Sequence, residues 1–299
     1  MLRSERFFGF SGLNCGAVNA PNARSEKTLT AAPAAAAARP LRAIVLAAGR
    51  GERMRPLTDH TPKPLLPVQG RPLIEWHLLA LARDGVREVI INTAWLEEQF
   101  PATLGDGSRF GLSIRYSAEG RDWGGALETA GGIATVLPWL GEGGREAFWV
   151  VSADIWAPDF RFDAAQVARF LASGLDAQLW MVPNPPFHPR GDFAFGAALP
   201  ALGPDAALGI GADQADDAPR ATYANLALMR TRLCAGIPSG TRAPLGPLLH
   251  AGMADQRIGL QWYRGAWENV GTPAQWEALQ GGAATAMPPS AASTEEAVP

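Results

Sequence analysis

The chain has 299 residues and a formal net charge of −3. That length suits one large α/β domain or two small ones, and so slight a charge gives no reason to expect nucleic-acid or membrane binding. Two cysteines, Cys15 and Cys234, are too few for a disulfide framework, no zinc spacing is present, and no apolar run nears the roughly 18 residues needed to cross a bilayer.

Residues 1–40 stand apart. Ala31 to Pro40 is rich in Ala and Pro and offers almost nothing to pack, and the earlier aromatics (Phe7, Phe8, Phe10) follow no period. The expectation is a disordered extension, or one assigned upstream of the true start. Ala17-Val18-Asn19-Ala20 after a broken apolar patch only loosely imitates a secretory leader. The globular part is expected over 41–281, with 282–299 a second disordered tail.

The first apolar run, Ala43-Ile44-Val45-Leu46, breaks abruptly into Ala47-Ala48-Gly49-Arg50-Gly51-Glu52-Arg53-Met54, and Lys63-Pro64-Leu65-Leu66-Pro67 follows. This reads as a buried strand feeding a loop whose backbone lies bare. Bare N–H groups in a Gly-rich turn make a concave anion site. Arg53 adds a planar guanidinium and Lys63 a point charge for the same oxygens. The loop lacks the Gly-Lys-Ser/Thr of a Walker A motif, and Met54 stands where the dinucleotide fingerprint needs a third small residue. On the loop alone, a strand-to-helix turn with solvated basic residues is the alternative.

Further along, a helix is expected from Pro72 to about Arg83, with Leu73, Trp76, Leu79 and Ala80 on its apolar face and Gly85 as its stop. Val89 to Asn92 reads as a strand, Leu96 to Leu104 as a helix, and Ser113 to Ser117 as a strand. Strands alternating with helices predict an α/β, Rossmann-like fold: a doubly wound, mostly parallel sheet, with ligands beyond the carboxyl ends of its strands. Small residues crowd the helix start at Ala126-Leu127-Glu128-Thr129-Ala130-Gly131-Gly132-Ile133, for close packing or for binding. The run Phe148-Trp149-Val150-Val151 ends in Ser152-Ala153-Asp154-Ile155-Trp156. An acid at the end of a buried strand is costly unless something positive meets it, so Asp154 is either a turn residue or a ligand to Mg²⁺. A helix (Ala164 to Ala172) and a strand (Ala177 to Val182) lead into the proline-stiffened loop Pro183 to Phe193. Leu199 to Asp217 suggests hairpin turns with a solvated acidic edge. Ala221 to Met229 and Ile258 to Tyr263 read as strands and Pro247 to Ala254 as a helix. Pro273 sits in the first turn of the last helix.

Leu46 to Thr58, with Arg53, Met54, Pro56 and Leu57 in place, followed by Lys63 to Val68, resembles the signature of the sugar-1-phosphate nucleotidylyltransferases. The resemblance extends to about Gln280, so it covers nearly all of the expected globular part. Within the family the chain is most similar to members that take a muramate 1-phosphate. The resemblance implies one nucleotidyltransferase domain over 41–281, with a small antiparallel sugar-binding subregion. It implies catalytic roles for Arg53, Lys63 and Asp154, and a nucleotide held by Leu46, Ala47, Ala48, Gly49, Arg50, Gly51, Glu52, Thr129 and Gly131. It implies sugar contacts from Glu128, Arg190, Asp192 and Asn225. Asp154 matches the family's metal-holding aspartate, whereas Asn269 stands where a second one is usual, so either Asn269 serves as a neutral Mg²⁺ ligand or Asp154 holds the metal with water and phosphate.

The implied reaction joins UTP and a sugar 1-phosphate to give a UDP-sugar and pyrophosphate. Both reactants are anions, so positioning and neutralised charge matter more than a proton shuttle. Alternatives within the family are GTP with mannose 1-phosphate, or dTTP or UTP with glucose 1-phosphate. From another class, Asn269 is compatible with an inactive nucleotide-sugar-binding regulatory subunit. A cytoplasmic monomer or small homo-oligomer is expected.

Overall fold

The computed structural model describes residues 41–195, 209–212 and 219–281; the two expected disordered ends, and most of the expected turns between Leu199 and Asp217, lie outside them. In chain order the strands are β1 (Ala43–Leu46), β2 (Pro67–Val68), β3 (Arg71–Pro72), β4 (Glu88–Thr93), β5 (Ser113–Ala118), β6 (Ala147–Ser152), β7 (Ile155–Trp156), β8 (Ala177–Val182), β9 (Phe193–Phe195), β10 (Gly209–Ala212), β11 (Arg220–Arg230), β12 (Ile258–Trp262) and β13 (Glu268–Asn269). The helices are α1 (Leu73–Arg83), α2 (Gln99–Leu104), α3 (Glu119–Trp123), α4 (Glu128–Leu140), α5 (Ala164–Ser173), α6 (Gly246–Ala254) and α7 (Pro273–Gln280).

One mixed sheet runs in the order β5-β4-β1-β6-β11-β8-β12-β10-β9. β5, β4, β1 and β6 are parallel neighbours, β11 enters antiparallel between β6 and β8, and β8 and β12 are again parallel. β9, β10 and the start of β11 form an antiparallel patch. Side chains alternate across the pleat, so one strand feeds two cores. Ala43 and Val45 of β1 join the cluster under α1, α2 and α5, while Ile44 joins the cluster under α4 and α6. A third cluster, with Met54, Leu66, Trp156, Val270 and Leu279, packs α7 and the β7–β13 pair against the segment after the glycine loop. Among the described residues no helix is long and apolar enough to cross a membrane.

Most elements lie where periodicity puts them. α2 is a correction, since it starts at Gln99 rather than Leu96. Leu96 has a left-handed φ of 47°, and the preceding Trp95 is tied down by an Nε1–H bond of 3.0 Å to Thr58 O. The short helix α3 is absent from the periodic reading, and Gly124 (φ 79°) ends it.

Candidate active site

The chain moves to β4 and β5 on one side of β1 and returns to β6 on the other, which opens a crevice at the strands' carboxyl ends. Two adjoining cavities occupy it. The first, about 300 Å³, is lined by Leu46 to Gly49 and Gly51, by Lys63, Pro64, Asn92, Ala126, Glu128, Thr129 and Ser152, and by Asp154. The second, about 420 Å³, shares Leu46, Glu128, Thr129 and Ser152, and adds Asp192, Phe193, Tyr223, Asn225 and the 244–246 segment with Leu249.

The loop after β1 is narrower as an anion cradle than composition implies. Ala47 N–H is taken by Asn92, through O at 3.2 Å and Oδ1 at 3.0 Å. The N–H groups of Ala48, Gly49, Arg50 and Gly51 make no hydrogen bond among the described residues. Gly51 has φ 69°, and a Cβ there would press on Thr58 Cγ2 at 3.1 Å and Lys63 Cβ at 3.3 Å. Thr58 Oγ1 donates to Gly51 O at 2.8 Å and locks the turn.

Lys63 and Asp154, 91 residues apart, meet at the cavity wall with Nζ 2.7 Å from Oδ2. Lys63 is mostly buried, and the 3₁₀ turn Lys63–Leu65 aims it inward. The carboxylate sits just before β7, whose Ile155 carbonyl accepts a 2.8 Å bond from His77 Nε2 of α1. Burial pushes the His77 imidazole down to about 4, so the ring is neutral at pH 7. Val270 N–H, beyond β13, donates to Asp154 O at 2.9 Å and draws Asn269 alongside. Asn269 Oδ1 is buried and has no hydrogen-bond partner among the described residues. A Cβ on Gly271 would lie 3.6 Å from that oxygen and 3.4 Å from Arg53 Nη2, so Arg53 also reaches this corner. One carboxylate and one orphaned amide oxygen are hard donors suited to a small divalent cation.

The other expected site residues divide. Arg50 lines neither of these two cavities but a third that shares Ala48 and Ala126 with the first, and its guanidinium stacks 3.7 Å from the Trp95 ring centroid and pairs with Asp59 at 3.0 Å. Glu52 is exposed and lines neither cavity. Gly131 is taken up by packing. Its N–H donates to Ala243 O at 3.0 Å, and a Cβ would strike Thr241 O. Thr129 and Glu128 line both cavities, and Glu128 Oε1 accepts from Arg242 Nε at 3.0 Å. Asp192 holds Tyr223 N–H at 2.8 Å with one oxygen and faces His188 Nε2 at 3.0 Å with the other. Asn225, at φ 60°, sits on the bulge where β11 slips register between Tyr223 and Ala227. Arg190 is exposed and lines neither cavity.

Sequence reasoning passed over Asn92, Glu119, His77 and Arg242. A polar residue closing the apolar run Val89-Ile90-Ile91 was the available signal for Asn92; nothing local marked the others. Glu119 is wholly buried, and burial pushes its carboxyl up from the ordinary glutamate range.

Residues 42–186 match the family model described as nucleotidyl transferase. Over 233 residues the chain is 44% identical to the N-acetylmuramate alpha-1-phosphate uridylyltransferase of Neisseria meningitidis serogroup B, covering 78% of this chain and 94% of that protein. It is 38% identical over 101 residues to the UTP–glucose-1-phosphate uridylyltransferase of Synechocystis sp., covering 32% of this chain and 26% of that protein. A solved Bacillus anthracis structure, described as a glucose-1-phosphate thymidylyltransferase, superposes with a TM-score of 0.62 at 19% identity. That match covers 81% of this chain and 94% of the other, and it carries the fold.

Proposed function

The chain belongs to the nucleotidyl transferase family, and from that premise we propose that it joins UTP to N-acetylmuramate α-1-phosphate, giving the UDP-sugar and pyrophosphate. The observation that carries this reading is the meeting of Lys63 and Asp154, 2.7 Å apart, at the wall of a cavity lined by Ala48, Gly49 and Gly51, whose N–H groups make no hydrogen bond among the described residues. A cation, an acid and bare donors in one crevice suit a triphosphate. The near full-length similarity to the meningococcal uridylyltransferase supports the choice of base and sugar.

In this reading residues 41–281 act as one nucleotidyltransferase unit. A sugar phosphate oxygen attacks the α-phosphorus of UTP, that P–O bond forms, and the bond to the β-phosphate bridge breaks in line, releasing pyrophosphate. N–H groups of Ala48 to Gly51 cradle the phosphates. Lys63 neutralises charge where the two anions approach, and Arg53 faces the departing pyrophosphate. Asp154 and Asn269 would hold Mg²⁺, which when bound supplies positive charge to phosphate oxygens. The unsatisfied Asn269 Oδ1 supports that assignment. Glu128, Asp192 and Asn225 contact the sugar in the second cavity. Arg242, paired to Glu128, and Arg190 are the two cations offered to an acidic sugar substituent. A role in recycling cell-wall sugars in the cytoplasm, by a monomer or small homo-oligomer, completes the proposal.

The test is pyrophosphate release across a grid of nucleoside triphosphates and sugar 1-phosphates. The expected result is the highest kcat/KM for UTP with N-acetylmuramate 1-phosphate. A higher value for GTP with mannose 1-phosphate would reassign base and sugar, and no release with UTP and any sugar phosphate would sink the reading.

A further inference from the structure

Behind the first cavity, three buried hydrogen bonds cross from the glycine loop to the start of α4. Ala47 N–H donates to Asn92 Oδ1 at 3.0 Å, Asn92 Nδ2–H donates to Glu119 Oε1 at 2.7 Å, and Leu127 N–H donates to Glu119 Oε2 at 2.8 Å. Both ends are cavity walls: Ala47 lines it directly, and Glu128 and Thr129 follow Leu127. Glu119 has no basic partner among the described residues. A buried carboxylate without a counter-charge is costly, and an apolar contact would hold two walls together more cheaply. What the polar chain adds is direction and distance.

Its polarity has one solution. The backbone N–H groups of Ala47 and Leu127 can only donate. Asn92 must therefore turn its oxygen to Ala47 and its NH₂ to Glu119, and Glu119 must accept twice. Gly132 of α4 leaves the room for this, since a Cβ there would stand 2.6 Å from Glu119 Oε1 and 2.8 Å from Asn92 Nδ2.

We propose that Glu119 and Asn92 are positioning residues that set the spacing between the glycine loop and the start of α4, and so the width of the nucleotide cleft. The proposal rests on the reading above that the nucleotide occupies that cleft.

The experiment compares the parent, E119Q, and the exchange N92D with E119Q. Each is assayed for the Kd of UTP with Mg²⁺ and no sugar phosphate, kcat at saturating substrates, and Tm. In E119Q one amide oxygen faces two donors, and Kd should rise about tenfold with kcat within about twofold. The exchange reverses the chain without breaking it. The carboxylate at position 92 accepts from Ala47 N–H and from the new amide at 119, whose oxygen accepts from Leu127 N–H. It should return Kd to within about threefold of the parent. A merely structural role would lower Tm and leave the Kd of the folded fraction alone. Parental Kd in E119Q, or an exchange no better than E119Q, overturns the proposal. Should E119Q not fold, the exchange decides alone, with parental Kd upholding the proposal and weak binding overturning it. No UTP binding by the parent would fell the nucleotide reading itself and this proposal with it, whereas a parent that binds while its variants bind alike fells only the positioning.

Discussion

Lys63 illustrates how much one side chain's surroundings decide. Its amine is buried, with a carboxylate 2.7 Å away, in a pocket where water competes poorly. Such a group stabilises a transition state between two anions without reorganising. Lys63→Ala is expected to lower kcat by about 10²- to 10³-fold at saturating UTP and sugar phosphate. Asp154 is partly open to solvent, so the fold should survive the loss of its partner. Steady-state pyrophosphate release, with Tm as the folding control, checks this; near-parental kcat would remove Lys63 from the mechanism. Arg50 is the counter-example. It carries the same sign, yet Trp95 and Asp59 hold it away from the cavity that Lys63 lines.

At the scale of elements, the glycines opening α4 do two different jobs. Gly132 makes room for the Asn92–Glu119 bond, while Gly131 lets the helix dock against the segment 241–243. Trp123 of α3 lies on Gly240 of the neighbouring turn, where a Cβ would strike its ring. Gly131→Ala would put a methyl against backbone on a partner segment that hydrogen bonds hold in place. A cost of about 1–3 kcal/mol is expected, read as a lower Tm. If Gly131 instead served chiefly as a ligand contact, Tm would stay at the parental value while the KM for UTP rose. Measuring both separates packing from binding.

For the whole molecule, the reversal of strand order around β1 creates the crevice, and the antiparallel entry of β11 gives it a second chamber. A ligand bound there touches β1, β6, α4 and β11 together, so binding should register in global stability. Saturation at 100 times Kd adds about 2.7 kcal/mol, or roughly 5–10 °C in Tm for a domain of this size. UTP with Mg²⁺ should raise Tm by more than UTP with a chelator. Asp154→Asn should keep the shift with UTP alone and lose the magnesium increment. A variant that kept the full increment would remove Asp154 as the ligand.

The amino-acid sequence by itself determined most of the strands and helices around the crevice, though not α3, because apolar period, glycine stops and proline starts act over a few residues. It also carried the glycine loop and the Asp154 position, since each follows an unmistakable apolar run, and the Lys63 position through the Lys-Pro-Leu-Leu-Pro motif that starts there. Tertiary structure alone decided which polar groups meet. Lys63 finds Asp154 across 91 residues, Asn92 finds Glu119 across 27, and Glu128 finds Arg242 across 114. A side chain's direction depends on partners that only the closed sheet brings near. The same dependence stacked Arg50 on Trp95, consumed Gly131 in packing, and left Asn269 Oδ1 buried with no hydrogen-bond partner among the described residues.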